Sequence, residues 1–459
     1  MKSFRFLTLA LLILALVFNF AACGKESPAG TAATTEAVTA AAETDPVTEA
    51  VTAAATDAAT EPATEAVTAA AATDPVTEAV TTAAATEPAT EPVTDPATEP
   101  ATEAAEPKIV IRLAELGDAV RIHTDLQAAY LSDSDVYSVL EYADQEGTVE
   151  LGRPVPITLS WTVETLDEVG VRSFVVRVAT NPKLTRPKST VLPKTKNSLE
   201  FCNAMIGTTY YWNVTVNGTD GVAYVSPTAS FTTEAQGPRN LSVDGVTNVR
   251  DLGGWATEDG GRVRQGKLYR GGRLVENGSA SNVLITEDGI KTLRDELGVR
   301  SEIDLRLKSK LGGLTASPLG DKVNFYSRPM SDDWSVMFSS EENFQSIREI
   351  FALLADESNY PVYFHCSIGT DRTGLIAWLV NGLCGVSEED LWRDYLFSNF
   401  GKINNTRTTG IRKVYVNKLE AAEGATFAEK IYNYLRDTVG VAESDLQAVI
   451  GILKEPAAN

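Results

Sequence analysis

The sequence predicts a multidomain chain in which a disordered linker precedes an all-β sandwich and a larger α/β domain. Residues 24–107 repeat a few residue types and contain little that could form a core. Residues 108–236 change to short runs of alternating apolar and polar residues, which are typical of half-buried strands. Residues 237–459 combine strand-length apolar runs, glycine-rich turns and amphipathic helices, a pattern that predicts an α/β domain.

Residues 1–23 have the pattern of a secretion signal. Two basic residues precede an apolar run from Phe6 to Phe20, and small residues follow it up to Cys23. The run is too short for a membrane-spanning helix. It resembles a bacterial lipoprotein signal, although Phe20 stands where an aliphatic residue is usual. This resemblance implies a secreted protein that is anchored by a lipid on Cys23 to the outer face of the bacterial cell membrane. The alternative is an ordinary cleaved signal that releases the protein.

Residues 24–107 cycle through variants of TEAVTAAATDP. Between Glu26 and Glu106 there are sixteen acidic residues and no Lys or Arg, which leaves −6 of the net charge of −22 for the rest of the chain. Spaced prolines and repelling carboxylates favour an extended spacer over a helix. The alternative is a glycosylated or partner-binding repeat. This charge pattern indicates no nucleic-acid partner.

Cysteine and histidine usage narrows the possible classes of site. The four cysteines are too few and too scattered for a disulfide framework, and they stand at Cys23, Cys202, Cys366 and Cys384. The two histidines, His123 and His365, form no zinc-ligand spacing with them. We therefore expect no metal and no cofactor, although carboxylate-only metal binding stays open.

The sandwich is predicted by alternation and by a turn signal at residues 217–218. Four runs alternate strongly, at residues 156–161, 173–178, 210–216 and 230–233. They resemble a fibronectin type III sandwich over about residues 135–234, with Trp161 as its core tryptophan. No cluster of catalytic side chains lies in this region. We therefore expect a spacer, or a module that docks a surface partner.

The α/β domain contains one segment that specifies chemistry, HCSIGTDRTG at residues 365–374. It follows a predicted buried strand and precedes a helix that is apolar on nearly every side. Backbone N–H groups of a tight loop at a helix N-terminus bind anions, and an arginine adds a planar fork. We therefore predict a phosphate-binding loop made of Ser367, Ile368, Gly369, Thr370, Asp371 and Arg372.

Cys366 is the predicted nucleophile of this loop. The helix N-terminus and Arg372 favour the thiolate over the thiol, so Cys366 can attack phosphorus at neutral pH and form a cysteinyl-phosphate that water hydrolyses. Thr373 can donate its hydroxyl to the departing thiolate. The alternative is an inert buried thiol, which we expect for Cys202 and Cys384.

The loop resembles that of the protein tyrosine phosphatase superfamily, and more narrowly that of bacterial tyrosine and phosphoinositide phosphatases, whose loop reads HCxxGKDRTG. Further similar segments, NVRDLGG, GKLYRGG, IDLR and DYLFS, lie at residues 248–254, 266–272, 303–306 and 394–398. The resemblance implies a metal-independent α/β cysteine-phosphatase domain that acts on phosphorylated protein or a small phosphate ester. Because Cys-x5-Arg also occurs in rhodaneses and arsenate reductases, those classes remain rivals, as does a binding protein without turnover.

Thr370 departs from this family pattern, which has Lys at the same place. One cationic contact to an inositol head group is therefore missing, unless Lys308, Lys310 or Arg328 supplies it. Phosphotyrosine or a simpler monoester fits at least as well.

Three sets of carboxyl groups are candidates for the acid that protonates the leaving oxygen. Asp304 ranks first because it ends a predicted strand and matches the family's DLR aspartate. Asp371, inside the loop, ranks second. Asp332 and Asp333 rank third, and capping a turn or helix is the more expected role for these two.

Several polar residues are expected to support the site without reacting. His365 is predicted to orient the loop by hydrogen bonding. The resemblance places Arg306, Arg250 and Asp251 nearby. These residues, with Arg270, are equally consistent with buried ion pairs that hold loops onto the sheet.

Overall fold

The computed structural model describes residues 108–147, 152–166, 168–275, 284–403 and 405–457. The predicted signal at residues 1–23, including Cys23, and the linker at residues 24–107 lie outside the described residues. Within the described part of the chain, no helix is long and apolar enough to cross a membrane.

The region before residue 236 contains two antiparallel sheets. In its described residues the strands are β1 Ile109–Leu113, β2 Ile157–Thr165, β3 Val171–Ala179, β4 Lys188–Pro193, β5 Ser198–Phe201, β6 Thr209–Gly218, β7 Ala223–Val225 and β8 Ala229–Thr232. One sheet has the order β1-β2-β5, and the other has the order β4-β3-β6-β7 with β8 also paired to β6. Strands lie at all four predicted positions, while the turn after β6 begins at Thr219, just beyond the predicted residues 217–218.

The core shared by these sheets follows from the alternation of the sequence. Along β2, the side chains of Ile157, Leu159 and Trp161 are buried, and the residues between them are more exposed. They pack in one apolar cluster with residues of the other sheet, including Val176 and Trp212. Burial of the regularly spaced apolar face holds the two sheets together.

Two helices depart from the all-β expectation for residues 108–236. They are α1 Asp125–Ser132 and α2 Val139–Glu146, and a capping box between Thr124 and Gln127 begins the first. Their buried side chains, such as Tyr130 and Val139, belong to the core of the C-terminal domain and not to that of the sheets. The boundary at residue 236 therefore does not separate the packing of the two regions.

The C-terminal domain is built on a six-stranded sheet. In chain order the further strands are β9 Arg239–Asn240, β10 Arg250–Asp251, β11 Arg262–Val263, β12 Leu268–Gly271, β13 Ser301–Asp304, β14 Asn324–Ser327, β15 Val362–His365 and β16 Lys454–Glu455. The sheet order is β14-β13-β15-β12-β10-β9, and its first four strands are parallel. β11 and β16 form a separate two-stranded pair. The α/β architecture expected for this domain is thus confirmed.

Helices surround this sheet, and one of them is the central element of the domain. In chain order they are α3 Glu287–Lys291, α4 Glu341–Leu354, α5 Asp371–Leu383, α6 Glu388–Leu396, α7 Arg412–Leu419, α8 Phe427–Asn433 and α9 Glu443–Leu453. Short 3-10 segments lie at Lys308–Lys310, Glu357–Asn359, Phe397–Phe400 and Thr409–Ile411, and π-helical segments at Thr292–Glu296 and Tyr434–Val439. α5 is buried from Arg372 onward, as predicted from its apolar composition.

Asp251, a predicted site residue, lies instead at the contact between the two regions. Its Oδ2 accepts a hydrogen bond from Arg239 Nη1 at 2.6 Å, and both side chains are buried. Arg239 also donates to the carbonyl oxygens of Ala204 and Asn203, at 3.0 and 2.6 Å. Asp251 therefore orients an arginine that holds the sandwich region against the C-terminal domain.

Candidate active site

The Cys366 loop lies where the sheet meets α5. β15 ends at His365 and α5 begins at Asp371, so the loop connects the carboxyl end of a strand to the N-terminus of a helix. The neighbouring parallel strands bring Asp304 and Gly271 to the same edge, each in register with His365. Ligand sites of open α/β sheets form at this edge.

Gly369 is required by the path of the loop. Its φ is +71°, a region that other residues seldom adopt. A Cβ at this position would lie 2.4 Å from the carbonyl carbon of Gly271, which is backbone and cannot turn aside. Glycine therefore lets the loop press against β12 and curl before the N-terminus of α5, where backbone N–H groups bind anions.

Arg372 lies at the open side of the Cys366 loop, between Ser367 and the segment that carries Met330 and Asp332. We call this side the mouth of the loop. The Arg372 side chain is almost completely buried, with Nη2 at 3.4 Å from Ser367 Oγ and Nη1 at 3.5 Å from the Met330 carbonyl oxygen. Among the described residues, Arg372 Nε has no hydrogen-bond partner. A buried guanidinium with long contacts and an unused donor is suited to binding two oxygens of a phosphate.

Cys366 is a buried thiol with an unusual tendency to ionise. Burial opposes ionisation, but Arg372 and hydrogen bonds from the hydroxyl and backbone N–H of Thr373 outweigh it and lower the pKa of the Cys366 thiol. Thr373 Oγ1 has no oxygen or nitrogen partner within the described ranges, so it is available to the sulfur. By contrast, burial raises the pKa of Cys384 to about 12, and burial likewise raises the pKa of Cys202.

Behind the loop lies a group of buried charged residues that we call the floor: Glu302, Asp304, Arg306 and His365. His365 Nε2 is 2.9 Å from Glu302 Oε1 and 3.8 Å from Asp304 Oδ2, and His365 Nδ1 is 3.1 Å from the Cys366 carbonyl oxygen. Burial opposes protonation of the ring, but Asp304 and Glu302 outweigh it and raise the pKa of His365. His365 thus contacts the backbone of Cys366, and its role in orienting the loop stays a prediction.

The structure does not support Asp304 as the acid, although it ranked first from sequence. Its carboxylate is fully buried and accepts from Arg306 Nε at 3.0 Å and Nη2 at 2.6 Å. Burial would raise its pKa, but His365 and Arg306 outweigh burial and lower the pKa of Asp304. The carboxylate is therefore enclosed by its partners and inaccessible to a leaving oxygen.

The floor also contains three possible metal ligands close together. Oxygen and nitrogen atoms of Glu302, Asp304 and His365 lie within 4.8 Å of one another. Arg306 already occupies the Asp304 carboxylate, and Ser317 Oγ donates to Glu302 Oε2 at 2.5 Å. Because a guanidinium balances the charge and the donors are used, this group is an internal ion-pair network and not an open cation site.

Asp371, the second candidate acid, is also fully bonded. Arg407 donates to both of its oxygens, from Nε at 2.8 Å and from Nη2 at 2.7 Å, and Tyr395 Oη donates at 3.1 Å. Three donors on one carboxylate leave it little capacity to protonate a leaving group.

Arg250 and Arg270 form the buried ion pairs that were one of two expectations for them. Both contact Asp394, and Arg250 Nε lies 3.1 Å from Asp394 Oδ1. Arg270 Nη2 donates to the Gly369 carbonyl oxygen at 2.8 Å. Arg270 therefore contacts the Cys366 loop directly, and Arg250 is joined to Arg270 through their shared partner Asp394.

Thr370 faces away from the mouth of the loop. It is fully buried, and its Oγ1 lies 3.5 Å from both Asn248 Nδ2 and the Ile368 carbonyl oxygen. Asn248 Nδ2 also lies 3.2 Å from the carbonyl oxygens of Ile368 and Gly369. Ser367 is held from the other side, because Arg273 Nη1 donates to its carbonyl oxygen at 2.9 Å.

The third candidate acid lies on an exposed segment, which we call the 331–335 loop. Asp332 has a side chain that is 67% exposed, with Oδ2 at 4.0 Å from Arg372 Nη2. Asp333 instead accepts hydrogen bonds from the N–H and hydroxyl of Ser335, which lower the pKa of the Asp333 carboxyl. Asp332 is therefore an accessible carboxyl group beside Arg372, whereas Asp333 caps a turn.

Sequence reasoning missed Glu302 and Arg407, and it named Asp394 only as the first residue of the family-like DYLFS segment. Glu302 had a usable signal, because it stands two residues before Asp304 on one strand and alternation puts both on the same face. Arg407 had none, since it lies in an irregular segment far along the chain.

Comparison with known proteins agrees with this arrangement. Residues 241–455 match the model of the tyrosine phosphatase family. A protein of Cupriavidus necator that is named as a tyrosine-protein phosphatase is 28% identical over 252 residues, which is 49% of this chain and 92% of that protein.

Two of the solved structures found by comparison are phosphatases. The core catalytic domain of the PP-IP phosphatase SIW14 from S. cerevisiae is 12% identical, with a TM-score of 0.25 over 38% of this chain and 85% of that one. TpbA of P. aeruginosa, in complex with pTyr, is 16% identical, with a TM-score of 0.23 over 43% and 96%.

The family match covers the segment that carries Cys366, Arg372 and the elements around them. The C-terminal domain is therefore similar to the tyrosine phosphatase family over residues 241–455, and this chain is a cysteine-dependent phosphatase that hydrolyses phosphate monoesters.

Proposed function

We propose that this phosphatase acts on aryl phosphate monoesters, phosphotyrosine first among them, with Cys366 as nucleophile, Arg372 as phosphate ligand and Asp332 as acid. The observation that carries this proposal is the ionisable thiol of Cys366 in a loop whose arginine keeps a buried, unused donor.

In the first step, the Cys366 thiolate attacks phosphorus as the bond to the ester oxygen breaks. Arg372 and the loop N–H groups bind the three non-bridging oxygens, on which charge is spread. The Asp332 carboxyl donates its proton to the leaving oxygen, so that a neutral phenol departs. The product on the enzyme is a cysteinyl-phosphate.

In the second step, water attacks the same phosphorus and the sulfur–phosphorus bond breaks. The Asp332 carboxylate takes the proton from water and is restored to its acid form. Sulfur leaves as a thiolate, which Arg372 and the Thr373 hydroxyl stabilise by the interactions that lower the thiol pKa. Inorganic phosphate then leaves, and both residues are ready for another turnover.

The choice of substrate rests on the charges around the loop. Arg328, one of the cations that could have served an inositol phosphate, is bound to Glu349 at 2.8 Å. Thr370 is buried and offers no contact at the mouth. The ring of Trp334, in the 331–335 loop, is partly exposed and suited to packing on an aromatic leaving group. A relative that is named as a tyrosine-protein phosphatase agrees with this choice.

We also propose the setting in which the enzyme works. The signal-like residues 1–23 support secretion with a lipid on Cys23, and residues 24–107 support a spacer that separates the enzyme from the outer face of the bacterial cell membrane. The two antiparallel sheets support a fibronectin type III-like domain between spacer and enzyme. The anchor is tested by replacing Cys23 with Ser and measuring the fractions of the protein in the membrane and in the medium. We expect the variant to be released into the medium.

The first experiment measures hydrolysis of para-nitrophenyl phosphate, a phosphotyrosine peptide and phosphoinositides by the full chain, with EDTA and reductant present. We expect turnover that survives EDTA, prefers phosphotyrosine over phosphoinositides and vanishes in Cys366→Ser. Phosphate binding without turnover of any substrate would replace the enzyme by a phospho-ligand binder. Turnover that needs added thiosulfate or arsenate would favour a sulfurtransferase or an arsenate reductase.

A further inference from the structure

Arg407 lies between the Cys366 loop and the 331–335 loop. Its Nε and Nη2 donate to the two oxygens of Asp371, at 2.8 and 2.7 Å. Its guanidinium carbon lies 5.7 Å from the centre of the Trp334 ring. A guanidinium can make both contacts at once, because its N–H groups lie in one plane and its face stacks on rings. Its side chain thus links the two loops.

The backbone of Arg407 is fixed as well. Asn399 Oδ1 accepts from the Arg407 N–H at 2.7 Å, and Asn399 Nδ2 donates to the Arg407 carbonyl oxygen at 2.9 Å. The Arg407 side chain is only 10% exposed, and its hydrogen bonds to Asp371 raise the pKa of the guanidinium. The link between the loops is therefore charged and held in place from its own backbone.

We propose that Arg407 is a positioning residue for the phosphatase reaction, which joins Asp371 to Trp334 and so holds Asp332 where it reaches the leaving oxygen. The inference rests on the proposed function. It gives Asp371 the role of an anchor, which agrees with the three donors on its carboxylate.

The need for such a link follows from the exposure of the 331–335 loop. Asp332 is 67% exposed, and its Oδ2 is 4.0 Å from Arg372, so that contact is too weak to fix a proton donor. Trp334, two residues later, packs partly against the core of the domain. A shift of the ring moves Asp332, and a displacement of about 1 Å can lower a rate by about a hundredfold.

The test compares two substrates that differ in their need for an acid. The phenolate of phosphotyrosine is a poor leaving group and requires protonation, whereas 2,4-dinitrophenyl phosphate releases a stable phenolate. We expect Arg407→Met in the full chain to lower kcat/KM for the phosphotyrosine peptide about 10- to 100-fold. The same variant should change kcat/KM for the dinitrophenyl ester by less than about threefold, because that substrate needs no acid.

Arg436 provides a matched control. It also pairs with a carboxylate, that of Asp437, and its guanidinium carbon also lies 5.7 Å from a ring, that of Tyr432. None of these three residues contacts the Cys366 loop within the described structure. Arg436→Met should therefore leave both values of kcat/KM unchanged.

The other end of the link is tested at Trp334. Trp334→Phe keeps a ring for the guanidinium and should retain most of the activity on phosphotyrosine, whereas Trp334→Ala should reproduce the substrate-selective loss of Arg407→Met. If Arg407→Met does not fold, the ratio of kcat/KM for the two substrates in Trp334→Ala decides the question, because lost packing on an aromatic leaving group lowers both aryl esters alike, whereas a displaced acid lowers only phosphotyrosine.

The outcomes separate this inference from the function on which it rests. Equal losses on both substrates, or no loss on either, would overturn the positioning role and leave the phosphatase intact. If the wild-type chain turns over neither substrate while Cys366→Ser behaves identically, the proposed function fails first. A loss confined to phosphotyrosine supports both.

Discussion

Two carboxylates near the Cys366 loop differ in almost every physical respect. Asp304, in the floor, is fully buried and accepts hydrogen bonds from Arg306. Asp332, in the 331–335 loop, is 67% exposed and lies 4.0 Å from Arg372. The first is fixed by its partners, and the second can approach a substrate. The comparison indicates that a position next to the Cys366 loop does not make a carboxyl group an acid, because the group must also be accessible to the leaving oxygen.

The largest expected effect is on folding, and it separates the two carboxylates. Asp304→Ala leaves the Arg306 guanidinium buried without its partner, which should cost about 3–5 kcal/mol of unfolding free energy. Asp332→Ala removes an exposed side chain and should leave the unfolding midpoint within error of wild type. Urea unfolding of both full-length variants, followed by tryptophan fluorescence, measures the difference. Equal destabilisation would contradict the distinction between floor and loop.

The next largest effect is on the rate of catalysis. Here the larger change is expected at the exposed Asp332 and not at the buried Asp304. Asp332→Asn should lower kcat/KM for a phosphotyrosine peptide about 10²- to 10³-fold, because the amide cannot give a proton to the leaving oxygen. Steady-state kinetics at saturating reductant measure it. The matched control is Asp333→Asn, which removes an exposed turn cap and should stay near wild-type activity. An unchanged rate for Asp332→Asn would return the acid role to Asp371.

The parts of the fold that the sequence predicted were those set by local pattern. Period-two alternation marked β2, β3, β6 and β8, and the apolar run of α5 marked a buried helix. The loop between β15 and α5 was identified because its glycine and arginine meet requirements of backbone conformation and charge that few sequences satisfy.

The features that the sequence placed wrongly or did not reveal depend on tertiary contacts. α1 and α2 follow a strand of the sheets but bury Tyr130 and Val139 in the core of the other domain, which no local pattern encodes. Asp304 ranked first as acid because a strand end usually faces the site, yet Arg306, two residues later, turns back to bind it. Arg407 reaches Asp371 from 36 residues away in sequence, so only the fold reveals their contact.

The pH dependence of the free energy of unfolding should further distinguish the buried residues of the floor from the exposed 331–335 loop. The pKa of His365 is raised above its ordinary 6.5 and that of Asp304 is lowered below its ordinary 3.8. The contribution of His365 is therefore complete below pH 6.5 and is lost as the pH rises through its folded pKa. The contribution of Asp304 is present above pH 3.8 and is lost on acidification through its folded pKa.

Urea unfolding of wild type and His365→Gln between pH 5 and 9 tests this sign. The stability advantage of wild type should be largest at the acidic end and should shrink as the pH rises, since the ring loses its charge in the folded state. Asp332→Asn, on the exposed loop, is the reference and should not share this trend. An advantage that grows with pH would mean that His365 is neutral in the fold.

The smallest expected effect concerns Thr370, whose departure from the family pattern first raised the question of substrate. Its hydroxyl makes only contacts of 3.5 Å, and its side chain is buried beside Asn248, away from the mouth of the loop. Thr370→Val keeps the shape and should cost no more than about 1 kcal/mol of unfolding free energy. The ratio of phosphotyrosine to phosphoinositide turnover should stay within about twofold of wild type, since no substrate contact is lost. A marked change in that ratio would show that the buried side chain of Thr370 influences contact with the substrate.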